Sequence, residues 1–510
     1  MVMPAGRYMV RAAGIVLVMN LLSRVLGFVR DAVIANEFGA TGVTDAFMVA
    51  YTIPYFLQAI LGMAIVMIIV PLLAEYSVQG RQDEVWKASS AVFNWTLLFL
   101  AAVSVVGILA SGPLVRLMAP GFSSEMAALA RELTQIMFPS IVFMALGMLV
   151  TGILNAHHIF GIPAFSPAGN NIVVIIAVLL FGSRFGIHGL AAGTLVGFIV
   201  FLLMQLPALR NLDVRYVPTL DYRHPAVRKT AAGVGPIVFG VGVNQIYLAF
   251  NRVFASMVVV GSIAAIDFAY RLVSLPLGIF AAAVSTAVFP SMSEQAAAGD
   301  RDGLRHTLVR GLNIVTFITI PSAVGLMLLN IPLVELLFER GAFDTRATAM
   351  TGAALFYFSI GMLGWGADMV LTRAYYAVND IRTPVMTGVI SVAVNILFSF
   401  LLLPTMGHAG LALANSLAVT SNFILLFLLL PRHLPGLSVR DVGGPLLRTF
   451  AASAFMGVLV FWLNTAVSLP LLLQVAACIS LGVLAYGAAA IILKVEEARW
   501  AVELVAQRFS

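Results

Sequence analysis

SRVLGFVRD, residues 23–31, sits inside a stretch that otherwise reads as a membrane-spanning helix. Two arginines and an aspartate at hydrocarbon depth need a reason, because each such charge costs about 2.5–3.5 kcal/mol at the bilayer centre even on insertion scales. On a helix, Ser23, Gly27 and Arg30 stack at i, i+4 and i+7, while Arg24 and Asp31, also seven apart, run down the adjacent strip. One broad face is therefore polar and should line water or protein rather than lipid. Gly27, at its middle, serves either as a bend point or as a place of close helix approach.

The remainder of the 510-residue chain sets the context: 61% of it is hydrophobic and 10% charged, with a mean hydropathy of +1.01. Apolar runs of about 20 residues recur almost throughout, each long enough to cross the hydrocarbon as a helix. The first run, from about Met9, is too long and too arginine-rich for a cleaved signal peptide. One cysteine, Cys478, leaves no disulfide or cysteine metal site. Neither a phosphate-binding glycine loop nor a HExxH pair occurs, and no soluble stretch could house a nucleotide-binding domain, so no enzyme and no ATP-driven pump is expected. The net charge of +6 fits loop arginines beside anionic lipid and does not call for nucleic acid.

Apolar length bounded by Gly, Pro and charged punctuation predicts an all-α polytopic protein of about fourteen spans. They fall near 9–36, 46–74, 88–110, 128–154, 165–183, 186–207, 232–259, 265–291, 307–330, 348–376, 384–404, 408–431, 446–466 and 470–493. Eighteen of the 29 basic residues lie on the side of the termini, five on the opposite side and six within spans. Both termini are thus expected to be cytoplasmic, in a cell inner (plasma) membrane.

The chain also resembles itself at an offset near 222 residues. Arg30, Gly39 and Asp45 correspond to Arg252, Gly261 and Asp267; Gly186, Gly189, Leu190 and Ala191 correspond to Gly407, Gly410, Leu411 and Ala412 at 221. The expected organisation is a six-helix bundle over 1–218, a parallel repeat of it over 219–431, and two extra helices over 432–510. Parallel repeats around a central cavity are a transporter architecture.

Counting the ionisable groups at hydrocarbon depth suggests the cargo. The acids are Asp31, Asp267 and Asp368, and the arginines are Arg24, Arg30, Arg252, Arg271 and Arg373. Two positive charges are left over. A buried cation without a partner needs a visiting anion or water, and the planar guanidinium suits phosphate oxygens, so the inferred ligand is a phosphate or pyrophosphate.

Three segments, SRVLGFVRDAVIANEFGATGVTDAF at 23–47, ILNAHHIFGIPAFSPAGNN at 153–171 and RAYYAVNDIRTP at 373–384, resemble the MurJ (MviN) family, within the superfamily of multidrug and polysaccharide exporters. The resemblance implies flipping of lipid II, the polyprenyl-pyrophosphate-linked peptidoglycan precursor, from the cytoplasmic to the outer leaflet by alternating access. By motif match, Ser23, Arg24, Arg30, Asp31, Asp45, Arg271 and Arg373 fall on family positions. The resemblance also implies a groove for the lipid tail on the last two helices.

The chain departs from that pattern in places. Typical members carry LLRRxFAEGA in the second helix, whereas FLQAILGMAI at 56–65 puts Gln58 and Ala59 at the arginines and Met63 at the glutamate. Tyr270 replaces the acid that commonly precedes the helix-eight arginine. Arg252 and Asp267 would offset these losses. The counterparts of a sodium site found in some members are Asn251, Asn395, Ser399 and Asn415, with no carboxylate, which argues against sodium and leaves the coupling ion unassigned. No other cofactor is expected. The alternatives are a flippase for another lipid-linked glycan and a cation-coupled exporter of small molecules; an arginine-rich cavity disfavours cationic cargo.

Overall fold

The computed structural model describes residues 5–210, 212, 216–436, 438–467 and 469–500. Of the basic residues counted for orientation, Arg215 and Arg508 lie outside these, as does the side chain of Met63. The described chain is all-α and polytopic. Among its helices seven are long and apolar enough to span a membrane, or nine if each of two bent pairs is one span.

Two compact units emerge. The first comprises residues 1–264 with 340–343. It holds α1 (Ala5–Phe38), α2 (Gly42–Val78), α3 (Gln82–Leu109), the short α4 (Ser111–Met118), α5 (Ser124–Met137), α6 (Ser140–Ala156), α7 (Gly161–Leu203), α8 (Leu206–Arg210) and α9 (Pro225–Ser256). α1 packs on α7, and α2 on α5, α6 and α9. Thus α9, which the repeat places in the second half, packs with the first. Ile69, Leu72, Val85, Val92 and Leu149 form part of a buried core, beside which Trp86 stacks on His157 with ring centroids 5.5 Å apart.

The second unit comprises residues 265–339 and 344–510. It holds most of α10 (Ser262–Pro276), one wide π-helical turn (Leu277–Ala281) and α11 (Ala282–Ala297). After these come α12 (Arg301–Leu328), the short α13 (Asn330–Phe338), α14 (Thr345–Ile360), α15 (Met362–Ala377), α16 (Arg382–Leu429), α17 (Val439–Ala466) and α18 (Leu471–Ile492). α17 packs on α12 and α18 around Met456, Val460 and the fully buried Cys478, and Tyr486 donates a hydrogen bond to Phe317 O at 2.7 Å.

The internal repeat reappears in the backbone. α7 and α16 are each two helices joined at one residue, Gly186 (φ 58°, ψ −143°) and Gly407 (φ 57°, ψ −133°), where the expected spans divide. The α5/α6 pair bends by 41° and the α14/α15 pair by 45°. Gly39 and Gly261, also matched by the repeat, both have positive φ. The φ/ψ pairs of Gly186 and Gly407 are close to glycine-only space. A Cβ on Gly186 would meet nothing within 4 Å, so Gly186→Ala tests the backbone alone. It is expected to destabilise the protein by about 1–3 kcal/mol, read as a lower melting temperature in detergent; an unchanged melt would refute the strain argument.

Candidate functional site

In the first unit the polar face of α1 meets α7. Arg30 donates to Asp31 Oδ1 through Nε at 3.0 Å and Nη2 at 2.7 Å, and through Nη1 to Asn171 Oδ1 at 3.0 Å. Asn171 Nδ2 then donates to Ser23 O at 3.1 Å. Two of the three family-like segments therefore meet at one cluster. Asp31 is buried and Arg30 half-buried, a setting in which the ion pair and its amide partner satisfy each other. The helix runs unbroken through Gly27, where a Cβ would lie 3.4 Å from Asn171 Nδ2.

Arg24, a little under two turns before Arg30, is exposed and has no ion pair or hydrogen bond among the described residues. It presents a free guanidinium on the first unit. Arg252, half-buried on α9, is engaged by other groups of the protein. Gln58 is buried on α2, with its amide against Met148 Sδ, so the position of a family arginine is absorbed into packing.

Asp45 does something other than line a polar face. It is 2% exposed and accepts the backbone N–H groups of Gly261 at 2.6 Å and Ala264 at 2.8 Å, capping the start of α10. Gly261 (φ +93°) fits because a Cβ there would lie 2.1 Å from Ala40 O.

The second unit carries the other charged residues. Asp267 and Arg271, one turn apart on α10, are each engaged with protein groups. Tyr270 packs edge-on against Phe358 and Trp365, at 5.8 and 5.9 Å between ring centroids, so an aromatic cluster stands where family members carry an acid. On α15, the Arg373 guanidinium lies 5.1 Å over the Phe289 ring and has no carboxylate partner among the described residues. Asp368 accepts from Asn422 Nδ2 at 2.6 Å, so its partner is a neutral amide and not an arginine.

The third family-like segment forms the turn after α15. Asn379 takes a left-handed conformation (φ 60°), and Asp380 caps α16 through Thr383 N at 3.0 Å and Thr383 Oγ1 at 2.6 Å, with His433 Nε2 at 2.9 Å. Burial pushes the Asp380 carboxyl up, but the Thr383 and His433 hydrogen bonds outweigh it and hold the group below its usual range.

The sodium counterparts are polar but carry no charge. Asn395 Oδ1 and Nδ2, Ser399 Oγ and Asn415 Oδ1, on the two arms of α16, are buried without hydrogen-bond partners among the described residues. Asn251 Nδ2 donates to Tyr247 O at 3.0 Å, within its own helix. Three neutral oxygens are suitable donors, but with no carboxylate they leave a monovalent ion's charge uncompensated in low dielectric, and they do not fit a resident sodium.

Apolar patterning singles out neither Asn171 nor Asn422, since an asparagine in an apolar helix gives no hint of its partner. The usable signal for Asn171 is its place in the second family-like segment.

The family described as "Lipid II flippase MurJ" matches residues 34–481. A Burkholderia cenocepacia protein described as "Lipid II flippase MurJ" is 35% identical over 421 residues, covering 80% of this chain and 81% of that one. A Vibrio cholerae protein described as "Probable lipid II flippase MurJ" is 32% identical over 475 residues and covers 90% of both. A solved structure described as "Lipid II flippase MurJ, inward closed conformation" superposes with a TM-score of 0.80 at 27% identity, over 95% of this chain and 99% of that one. An inward-facing multidrug transporter of the MATE family, at TM-score 0.68 and 15% identity over 82% of this chain and 98% of that one, shares the fold.

Proposed function

The chain belongs to the lipid II flippase MurJ family, and from that premise we propose that it carries lipid II from the cytoplasmic to the outer leaflet of the inner membrane by alternating access, with both termini cytoplasmic. It is a transporter, and no covalent bond of the cargo changes. The observation that carries this reading is the guanidinium of Arg24, exposed on α1, a helix whose apolar pattern reads as a span, with no carboxylate partner among the described residues. An exposed arginine on such a helix is stabilised by water and by an anionic cargo, and a diphosphate offers the planar oxygen pairs that arginine binds best.

Pyrophosphate handling over the transport cycle is assigned to Arg24, Arg30 and Arg252 of the first unit and, separately, to Arg271 and Arg373 of the second. Ser23, Asp31 and Asn171 hold Arg30 in place, and Asp267 plays the corresponding part on α10. Moving a charge through the membrane potential involves about 2.3 kcal/mol per 100 mV, enough to bias such a cycle without ATP. No step is routed through sodium.

Depletion and complementation test the reading. A strain depleted of its own flippase should accumulate lipid II on the inner leaflet, and this chain should relieve that defect. Failure to relieve it at normal expression would sink the proposal. Arg252 has a separate test, since it is assigned the role vacated at Gln58 and Ala59: Arg252→Ala should weaken lipid II binding about tenfold, and unchanged affinity would refute that assignment.

A further inference from the structure

A second basic site lies in the second unit, where the start of α12, the start of α17 and the segment after α18 come together around a cavity of about 510 Å³. That volume lies in the range of small-molecule sites, about 300–1,000 Å³. Arg305, Arg310 and Arg448 line it, with Trp500 at its edge. Arg305 is committed to Gly436 O at 3.0 Å and Asp302 at 3.4 Å. The other two are not committed to any carboxylate among the described residues: Arg310 stacks 5.7 Å over the Trp500 ring, and Arg448 Nη1 donates only to Lys494 O at 3.2 Å.

The acids that share the cavity do not neutralise these arginines. Asp441 accepts the backbone N–H of Ser438 at 3.0 Å, and Glu497 interacts with Arg310 electrostatically, without an ion pair among the described residues. Burial raises the Glu497 carboxyl above its usual range, aided by Glu496 and opposed by Arg310. Exposed apolar residues adjoin the lining residues in the sequence. Leu447, beside Arg448, is 72% exposed, and Ile492, three residues before Val495, is 76% exposed. Trp500 is an aromatic of the kind that settles at the headgroup level.

We propose that Arg310 and Arg448, with Trp500 beside them, bind the phosphate headgroup of an anionic phospholipid whose acyl chains lie against Leu447 and Ile492. This is a resident lipid site, separate from the cargo residues of α1, α9, α10 and α15. Basic pockets between transmembrane helices at the cytoplasmic face are suited to such headgroups, and the site lies at that face under the topology proposed above.

The test compares binding of phosphatidylglycerol, phosphatidylethanolamine, inorganic phosphate and lipid II to the purified full-length protein by native mass spectrometry and thermal shift. Phosphatidylglycerol should bind in preference to phosphatidylethanolamine. The Arg310→Ala/Arg448→Ala protein should lose about thirtyfold in phosphatidylglycerol affinity while binding lipid II normally; Arg24→Ala should do the reverse. Glu497→Gln, which leaves the arginines in place, should tighten phosphatidylglycerol binding, and it decides the matter if the double variant does not fold. Equal binding of the two phospholipids, an unmoved affinity in the double variant or no tightening in Glu497→Gln would overturn the proposal. Inorganic phosphate binding as tightly as phosphatidylglycerol would assign the site to the free anion and overturn the lipid. Loss of lipid II together with phosphatidylglycerol would make it part of the cargo path and also overturn it.

Discussion

An Arg24→Ala protein is expected to reach the membrane, melt like the parent and fail to move lipid II. Arg24 is exposed and supports no hydrogen bond or ion pair among the described residues, so its removal leaves nothing unpaired behind. What disappears, under the function proposed above, is a charge-assisted contact to the cargo pyrophosphate, worth about 2–5 kcal/mol when desolvated, or roughly a thirtyfold to several-thousandfold loss in the translocation it supports. Arg30→Ala should behave differently. It would take the guanidinium away from Asp31, which is 7% exposed, and release Asn171, so a stability loss of about 3–5 kcal/mol should accompany the loss of function. Flipping assays paired with detergent melts separate the two outcomes. Wild-type growth on Arg24→Ala as the sole flippase would remove the basis for assigning the cargo to that guanidinium.

Asp45→Ala is the second large effect, and it acts on the fold. The carboxylate accepts two backbone N–H groups in a buried setting, and its loss orphans both at the start of α10. Hydrogen bonds to a charged acceptor contribute about 1.5–3 kcal/mol each, so the total loss should be about 3–6 kcal/mol. Asp45→Asn keeps one acceptor oxygen and should recover about half of it. The measurement is thermal unfolding of the purified protein with the membrane yield of each variant alongside. If Asp45→Ala melted normally but no longer transported, Asp45 would be a cargo residue and not a cap.

The two substitutions show where sequence reading reaches and where it stops. Arg24 and Asp45 look alike in the sequence, charged residues in or beside a first helix within one family-like segment. Their difference depends on what faces them: no polar partner among the described residues for Arg24, and the backbone of residues 261–264 for Asp45. The count of surplus arginines was similarly only partly informative, because it treats carboxylates as the sole partners. The structure pairs Arg30 with Asp31 and an amide, puts Arg373 over an aromatic ring, and gives Asp368 to Asn422.

Apolar length and periodicity alone determined that this protein is an all-α membrane protein, since the bilayer forces every spanning segment to satisfy its own backbone. The repeat spacing also marked the glycines at which α7 and α16 break, because a positive φ restricts a position to few residue types whatever surrounds it. Tertiary structure alone decided which charges are free, which are caps and which are absorbed by amides or rings. A side chain's charge is local, but its compensation comes from residues over a hundred positions away, such as Asn171 for Arg30 and Gly261 for Asp45, and helical spacing carries no information about those encounters.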